Sequence, residues 1–332
     1  MDLDWKNLSF GYIKTDYNIR SYFRDGAWTT PELTTDETVT MHMAATCLHY
    51  GQEAFEGQKA DGVIRIFRPE ENAKRMRSSA EYLKMALPPV DMFVDMMKRV
   101  VKANERFVPP YGTGASLYIR PVLFGTGPQV GVKPAGEYLL IVFVTPVGPY
   151  YKEGFNPIKV LIDRDHDRAA PLGTGHVKAG GNYAASLTSA EIGHEKGYPS
   201  VLYLDAKEKK HIDECGAANF FGIRDGVYIT PKSHSVLPSI TNMSLMTLAA
   251  EMGLKVEQRP VDYDELGTFD EAGSCGSAAV LSPIGSIYDP QTGHTFVYND
   301  GKPGKWSEKL YHRLRAIQYA EEPDTYGWMA AL

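Results

Sequence analysis

A dense run of turn formers near the middle of the chain constrains the fold most. Residues 146–157 read Pro-Val-Gly-Pro-Tyr-Tyr-Lys-Glu-Gly-Phe-Asn-Pro, and Pro, Gly and Asn at this density are typical of a connection. The run divides 332 residues into two parts, each long enough to bury a core of its own. We therefore predict two domains, at 1–151 and 166–332, joined by a linker at 152–165.

Both parts mix strand and helix patterns, which predicts an α+β (mixed α/β) fold. We predict strands at Ser116–Phe124, Tyr138–Val144, Ser200–Leu204, Asn219–Ile223 and Val227–Thr230, and we expect the first two to pair. We predict helices at Pro69–Ala86, Asp91–Phe107, Gly181–Glu195 and Ile240–Met252.

Charge and cysteine content exclude several classes of protein. A formal net charge of -6 gives no reason to expect nucleic acid or an anionic membrane as a partner. Cys47, Cys215 and Cys275 show no paired spacing, so neither a disulfide framework nor a structural metal is expected. The first ten residues lack the apolar core of a signal peptide, and no apolar stretch is long enough to span a bilayer. We predict a cytoplasmic protein.

The residue most indicative of chemistry is Lys178, in the run His-Val-Lys-Ala-Gly-Gly-Asn-Tyr at 176–183. Small residues and glycines around it would let a planar ligand approach the backbone. A lysine amine with a lowered pKa is a nucleophile that forms Schiff bases with carbonyl compounds, so the hypothesis is a pyridoxal phosphate lysine. The spacing excludes the nucleotide phosphate loop, whereas an ordinary lysine in a glycine-rich turn stays open on this run alone.

Three features are candidates for binding an anion. Ser239 is a plausible N-cap, so the Ile240 and Thr241 amides would point out of a helix start. Arg75 offers a planar donor fork on the first predicted helix, and the segment 273–279 with Ser277 could form a nest of amides. Each has a plain alternative: a capped helix, a solvated charge and a tight turn.

Pyridoxal chemistry also requires a carboxylate near the ring nitrogen, because a protonated pyridinium withdraws electrons from the substrate α-carbon. Glu214 is the candidate, in a segment of small residues between a charged turn and an apolar strand. The adjacent Asp213 fits the same pattern, so the choice between them stays open.

The chain resembles the branched-chain amino acid aminotransferases. The matching strings are Lys-Ala-Gly-Gly-Asn-Tyr at 178–183, Glu214, Leu-Pro-Ser-Ile-Thr at 237–241, Gly-Ser-Ala-Ala at 276–279, Leu-His-Tyr-Gly at 48–51, Phe-Glu-Gly at 55–57, Ile-Phe-Arg-Pro at 66–69, Ser-Leu-Tyr-Ile-Arg-Pro at 116–121 and Ile-Gln-Tyr at 317–319. The resemblance implies a two-domain fold-type IV pyridoxal phosphate enzyme with a smaller N-terminal α/β domain and a larger C-terminal pseudo-barrel domain. It further implies a homodimer that exchanges amino groups between leucine, isoleucine or valine and 2-oxoglutarate, giving glutamate.

The resemblance also implies a role for each site residue. Those implied to bind pyridoxal 5'-phosphate are Lys178 by a Schiff base, Arg75, Ile240, Thr241 and Ser277 at the phosphate, Tyr183 at the ring oxygen, Glu214 at the ring nitrogen and Arg168 in support. Those implied to contact substrate are Tyr50, Phe55, Tyr118, Arg120 and Ala278, with Arg120 receiving the distal carboxylate of glutamate. From the residues alone, Arg168 could equally pair with Asp163, Asp165 or Asp167.

The chain departs from the family pattern at a few positions. Ala217 stands where some members have a hydroxyl residue, and Ser277 replaces the more usual threonine. Ala279 and Ser282 occupy the places of a redox cysteine pair found in some animal members, so that regulation is not expected. A D-amino acid aminotransferase or an aminodeoxychorismate lyase of the same fold, and a non-catalytic metabolite-binding protein, are the competing functions.

Overall fold

The computed structural model describes residues 3–61, 64–150 and 155–332. Internal contacts divide the chain into two units: unit 1 comprises Met1–Tyr150, Val177–Gly180 and Ile317–Leu332, and unit 2 comprises Tyr151–His176 and Gly181–Ala316. The predicted boundaries at 151, 152–165 and 166 stay a prediction about domains, and residues 152–154 lie outside the described residues. The division shows two features with no local signature: the lysine segment and the carboxyl-terminal segment both belong to unit 1.

The strands, in chain order, are β1 Asn18–Arg24, β2 Ala27–Trp28, β3 Glu32–Thr34, β4 Glu53–Phe55, β5 Gln58–Asp61, β6 Arg65–Phe67, β7 Ser116–Gly125, β8 Tyr138–Val147, β9 Ile158–Asp163, β10 Ser200–Leu204, β11 Ile212–Cys215, β12 Ala218–Arg224, β13 Val227–Pro231, β14 Lys255–Arg259, β15 Glu271–Gly276, β16 Val280–Asp289, β17 His294–Val297 and β18 Met329–Ala331. The helices are α1 Thr46–Tyr50, α2 Pro69–Tyr82, α3 Val90–Ala103, α4 Gly180–Ala185, α5 Leu187–Glu195, α6 Ile240–Glu251 and α7 Lys305–Gln318, with 3-10 turns at Glu105–Phe107, Tyr263–Thr268 and Asn299–Gly301.

Unit 1 contains a sheet on which the helices α2 and α3 pack. The strand order is β18-β6-β5-β7-β8-β1-β2, with β3 beside β1 and β4 beside β7. The predicted pairing of the two early strands is confirmed, since β7 and β8 run antiparallel over ten residues each. Apolar residues of α2 and α3 at helical spacing pack into one core with alternate residues of β7 and β8, and this packing fixes the face of α2 that contributes to the site.

Unit 2 contains a closed ring of strands. The order β11-β10-β9-β16-β15-β12 closes on itself because β11 also pairs with β12, and β13, β14 and β17 extend the sheet. Alternate residues of β9 (Ile158, Val160, Ile162) belong to one core, whereas Leu161 packs in a second cluster with Ile192 of α5. The ring and the helices confirm the predicted α+β fold with a pseudo-barrel.

One predicted helix is divided in the structure, and one strand lies where a linker was predicted. The helix predicted at Gly181–Glu195 is two helices, α4 and α5, because the Ser186 hydroxyl donates to the Tyr183 carbonyl at 2.8 Å and competes with the helical pattern. The strand β9 lies inside the predicted linker, where five of its six residues are buried. None of the helices in the described part of the chain has the length and apolar composition needed to cross a bilayer.

Candidate active site

The backbone around Lys178 is held by three residues of unit 1. The Lys178 amide donates to the Ser79 hydroxyl at 3.1 Å, and the Phe55 amide donates to the Lys178 carbonyl at 3.0 Å. The Gly180 amide donates to the Glu53 carboxylate. A Cβ on Gly180 would lie 2.0 Å from a Glu53 oxygen, so this glycine is required by a contact within the protein. The sequence argument had assigned such glycines to ligand approach, and it did not include this contact.

The amine of Lys178 lies in a weakly hydrated, cationic environment. Its Nζ is 4.6 Å from the centroid of the Phe55 ring. Burial, followed by the nearby Arg75 charge, lowers the pKa of Lys178 from 10.5 to about 8, although the Glu56 charge opposes both. At neutral pH a group with this pKa is unprotonated in roughly a tenth of molecules, against far below one per cent for an ordinary lysine. The site therefore maintains a nucleophilic amine.

Arg75, the predicted phosphate-binding residue, is held by an ion pair. Its Nε and Nη2 donate to the two Glu56 carboxylate oxygens at 2.8 and 2.6 Å. The Glu56 side chain is fully buried and that of Arg75 is 11% exposed. Two parallel N–H to oxygen bonds orient a guanidinium plane more strongly than one. Glu56 had appeared only as part of a matching string, with no role of its own.

Phe55, Tyr118 and Arg120 lie together. The Arg120 guanidinium carbon is 4.8 Å from the Phe55 ring centroid and 5.2 Å from that of Tyr118, and its Nη2 donates to the Tyr118 hydroxyl at 3.2 Å. The Arg120 Nε is buried without a hydrogen-bond acceptor in the described part of the chain. A Cβ on Gly57 would lie 1.9 Å from the Tyr118 hydroxyl oxygen, so only glycine fits beneath that ring. The wall thus combines apolar rings with a cation.

The substrate candidate Tyr50 has a different environment. Its side chain is exposed, and its hydroxyl donates to the Val130 carbonyl. The remaining candidates, Tyr183 on α4 and Ser277 and Ala278 in the turn after β15, are partly exposed residues of unit 2.

In unit 2, Glu214 is buried on β11 and accepts hydrogen bonds on both carboxylate oxygens. Its Oε2 is 2.5 Å from the Arg168 Nε, and its Oε1 accepts from the Leu237 amide at 2.7 Å and the Asn219 side chain at 3.1 Å. Arg168 also donates to the Gly175 and Ser235 carbonyls. The sequence alternative, pairing of Arg168 with Asp163, Asp165 or Asp167, is not what the structure shows.

Asp213 has a separate set of partners, because adjacent residues of a strand point to opposite faces. Its two oxygens accept from the Ser233 and Ser235 hydroxyls, each at 2.9 Å. Burial raises the pKa of Asp213, and the two hydroxyl donors partly offset that rise. The arginine-paired carboxylate of this strand is therefore Glu214.

The amino terminus of α6 is capped as predicted. The Ser239 hydroxyl accepts from the Asn242 amide at 3.2 Å, and Ile240 and Thr241 are buried in the first turn. The Asn242 side chain donates to the Asn219 side-chain oxygen at 3.2 Å. Because Asn219 also binds Glu214, a chain of hydrogen bonds connects this helix start to that carboxylate. Asn219 and Asn242 had no sequence signal beyond their polarity.

The expected nest at 273–279 was wrong over its first half. Residues up to Gly276 belong to strand β15, and a Cβ on Gly273 would lie 2.3 Å from the Phe221 ring. Small residues there permit close packing, and the turn itself is limited to 277–279. No three His, Cys, Asp or Glu side chains of residues 3–61, 64–150 and 155–332 form a group that could hold a metal ion.

Comparison with known proteins gives one consistent family. The model of the family described as amino-transferase class IV matches residues 53–287. The chain is 48% identical to the branched-chain-amino-acid aminotransferase of Haemophilus influenzae, over 99% of this chain and 98% of that protein. It is 46% identical to the protein of the same name from Helicobacter pylori, over 99% of this chain and 97% of that one.

Solved structures agree with the sequence matches. The branched-chain amino acid aminotransferase of Escherichia coli is similar with a TM-score of 0.79 at 26% identity, over 95% of this chain and 99% of that one. The fold is also that of the Thermobaculum terrenum enzyme in its PLP form, with a TM-score of 0.79 at 23% identity over 96% of this chain and 98% of that one. The similarity therefore covers both units.

Proposed function

The chain belongs to the class IV aminotransferase family, and from this membership we propose that it moves amino groups between branched-chain L-amino acids and 2-oxoglutarate. The products are the branched-chain 2-oxo acids and L-glutamate. Near full-length similarity to two bacterial proteins named for this activity supports the assignment. The observation that carries it is the Lys178 amine, whose pKa is lowered to about 8 beside an oriented arginine.

The chemistry of the donor set fits pyridoxal 5'-phosphate, the cofactor of the family. When bound, this group supplies an aldehyde carbon for an amine and a pyridine ring that accepts electrons. The residues that would hold it are Lys178 at the aldehyde, Arg75, the Ile240 and Thr241 amides and Ser277 at the phosphate, Tyr183 at the ring oxygen and Glu214 at the ring nitrogen. Arg168 supports Glu214 through the 2.5 Å ion pair.

Lys178 has two tasks in this proposal. Its neutral amine would hold the cofactor aldehyde, and when it is not so bound its Nζ would take the proton from the substrate α-carbon. A base is most effective when its pKa lies near the working pH, and about 8 satisfies that condition. Ser79 and Phe55 fix the lysine backbone, so Nζ moves while its Cα stays in place.

The surface formed by Phe55, Tyr118 and Arg120 can explain how one site recognises both an apolar and an acidic substrate. An apolar side chain of leucine can pack on the Phe55 and Tyr118 rings, whereas the distal carboxylate of glutamate can pair with Arg120. Since the guanidinium already lies over both rings, one surface serves both substrates. The Arg120 Nε, buried and without an acceptor in the described residues, supplies a donor for that carboxylate.

The active form in this proposal is a homodimer located in the cytoplasm. Met43, Val130 and Val132 are 87%, 79% and 89% exposed, and their segments are adjacent because the Gln129 amide donates to the Ala44 carbonyl at 2.9 Å. Exposed apolar surface of this kind is typical of a protein interface, and a second copy is the occupant. Sedimentation should give a dimer that Val132→Glu weakens; a monomeric, fully active wild type would refute it.

The free cysteine thiols suit a reducing compartment.

Purified protein assayed with 2-oxoglutarate and either L-leucine or D-alanine tests the function. We expect a yellow protein that consumes L-leucine at least a hundredfold faster than D-alanine, with parallel-line, ping-pong kinetics. Lys178→Ala should abolish turnover while the fold remains. Preference for D-alanine would favour the D-amino acid enzyme, and a colourless protein unaffected by added pyridoxal phosphate would favour a non-catalytic binder.

A further inference from the structure

Glu56 is a buried carboxylate whose position is fixed on both sides. Its side chain is fully buried and binds Arg75 through both oxygens, at 2.8 and 2.6 Å. Its amide donates to the Pro121 carbonyl at 2.9 Å, so its backbone is also anchored to β7. Burying a carboxylate is costly unless it is paired and hydrogen-bonded. The Arg75 pair offsets this cost, and the arrangement ties Glu56 to the residue proposed to bind phosphate.

The pair lies beside Lys178 because of the helical repeat of α2. Arg75 and Ser79 are one turn apart and therefore face the same way, and the Ser79 hydroxyl accepts from the Lys178 amide at 3.1 Å. On the other side of the pair, Phe55 precedes Glu56 in the chain and its amide donates to the Lys178 carbonyl at 3.0 Å. Two independent backbone contacts thus flank the ion pair and the lysine.

Two cations would otherwise lie together in a weakly hydrated place. Like charges within several ångströms in a protein repel by a few kcal/mol, so an unpaired Arg75 would make Lys178 a much weaker base. A base whose pKa falls well below the working pH transfers protons poorly. The negative charge of Glu56, held against Arg75, limits this weakening of Lys178 as a base. Glu56 does so without contacting the reacting atoms.

We propose that Glu56 is a positioning residue of this site, which holds the Arg75 guanidinium in one plane and balances its charge so that Lys178 remains an effective base. The inference rests on the proposed function, since that function makes Lys178 the base. Among the described residues, the charged and titratable groups that act on Lys178 include Arg75 from α2, Tyr118 and Arg120 from β7 and Glu56 itself. Glu56 and Tyr118 raise its pKa, and the two arginines lower it.

Trace acetylation of the apoprotein measures the charge balance without any catalysis. The cofactor is removed, the full-length protein is treated with limiting acetic anhydride from pH 6 to 10, and modification of Lys178 is quantified by mass spectrometry. Lys207, which is 75% exposed, serves as internal reference. Only the unprotonated amine reacts, so the profile gives a midpoint pH. We expect Glu56→Gln to lower this midpoint by about one pH unit, whereas Glu56→Asp, which keeps the charge, stays within a few tenths.

The matched control is Asp289→Asn. Asp289 is likewise fully buried and paired with an arginine, Arg164, at 2.8 Å, but it lies in unit 2. In the Asp289→Asn variant, the acetylation midpoint of Lys178 should equal that of the wild type. This comparison separates the general effect of losing a buried ion pair from the specific effect of losing the Glu56 charge. A folded Glu56→Gln protein with an unchanged or higher midpoint would overturn the inference.

A second comparison covers the case in which Glu56→Gln does not fold. Replacing both partners of a buried ion pair avoids leaving one charge alone, so the double variant Glu56→Gln with Arg75→Gln is compared with Arg75→Gln. Lys178 should have a lower acetylation midpoint in the double variant than in Arg75→Gln. Equal midpoints in the two variants would refute the proposal. A failed transamination assay would contradict the proposed function and leave these midpoints unaffected, so the two failures are distinguishable.

Discussion

Replacing Lys178 by methionine should stabilise the apoprotein, by an amount that depends on pH. Folding lowers the pKa of Lys178 from 10.5 to about 8, so the folded state disfavours the protonated amine. The resulting cost is absent above about pH 10.5, grows as the pH falls, and is complete below about pH 8. Its full size corresponds to about 3 kcal/mol. Methionine has nearly the same length and no charge, so Lys178→Met removes this cost.

The assay is urea unfolding of wild-type and Lys178→Met apoproteins at pH 7 and pH 10. The variant should be more stable by about 3 kcal/mol at pH 7 and by less than about 1 kcal/mol at pH 10. Asp289→Asn, measured beside it, controls for general effects of pH on the fold. A stability difference that is the same at both pH values would refute the reasoning, because an uncharged packing effect does not titrate.

Three further predictions concern single contacts. Arg120→Met should lower kcat/KM for 2-oxoglutarate at least tenfold more than for leucine, and equal losses in the two half-reactions would exclude its carboxylate role. Ser239→Ala should cost about 1 kcal/mol and lower Tm by about 2 °C, since it removes the α6 cap; Ser239→Thr should retain Tm, and identical values for both variants would contradict the cap. Gly57→Ala should lower both Tm and leucine turnover, because its Cβ would lie 1.9 Å from the Tyr118 hydroxyl. Gly136→Ala, where no atom lies within 4 Å of a built Cβ, should change neither, and equal effects of the two would remove the steric argument.

Sequence patterns predicted what depends on local repeats. Strands β7 and β8 were placed to within three residues because each is a nearly continuous run of apolar and β-branched or aromatic residues. The α6 start was predicted because Ser239 precedes an apolar-periodic segment, and its hydroxyl accepts the expected amide. In both cases the information is contained within a few neighbouring residues.

Long-range contacts were not predictable from the chain. Glu56 and Arg75 are 19 residues apart, and neither the strand nor the helix pattern indicates that they meet. The choice between Asp213 and Glu214 depended on which face of β11 lies toward Arg168, which is a matter of strand register. The pairing of β18 with β6 brings the carboxyl-terminal segment into unit 1, again without a local signal.

The small residues around Lys178 indicated a functional lysine, but the sequence argument gave only part of the reason for them. The segment Val177–Gly180 belongs to unit 1, although the residues on either side of it belong to unit 2. Its three anchors, Ser79, Phe55 and Glu53, bind backbone atoms and lie 99 or more residues away in sequence. Small residues in this run therefore allow the backbone to reach those anchors, and a side chain at Gly180 would break one of them. Because the anchors hold the backbone and leave the amine to move, the fold suits the two roles proposed for Lys178, first as nucleophile and then as base.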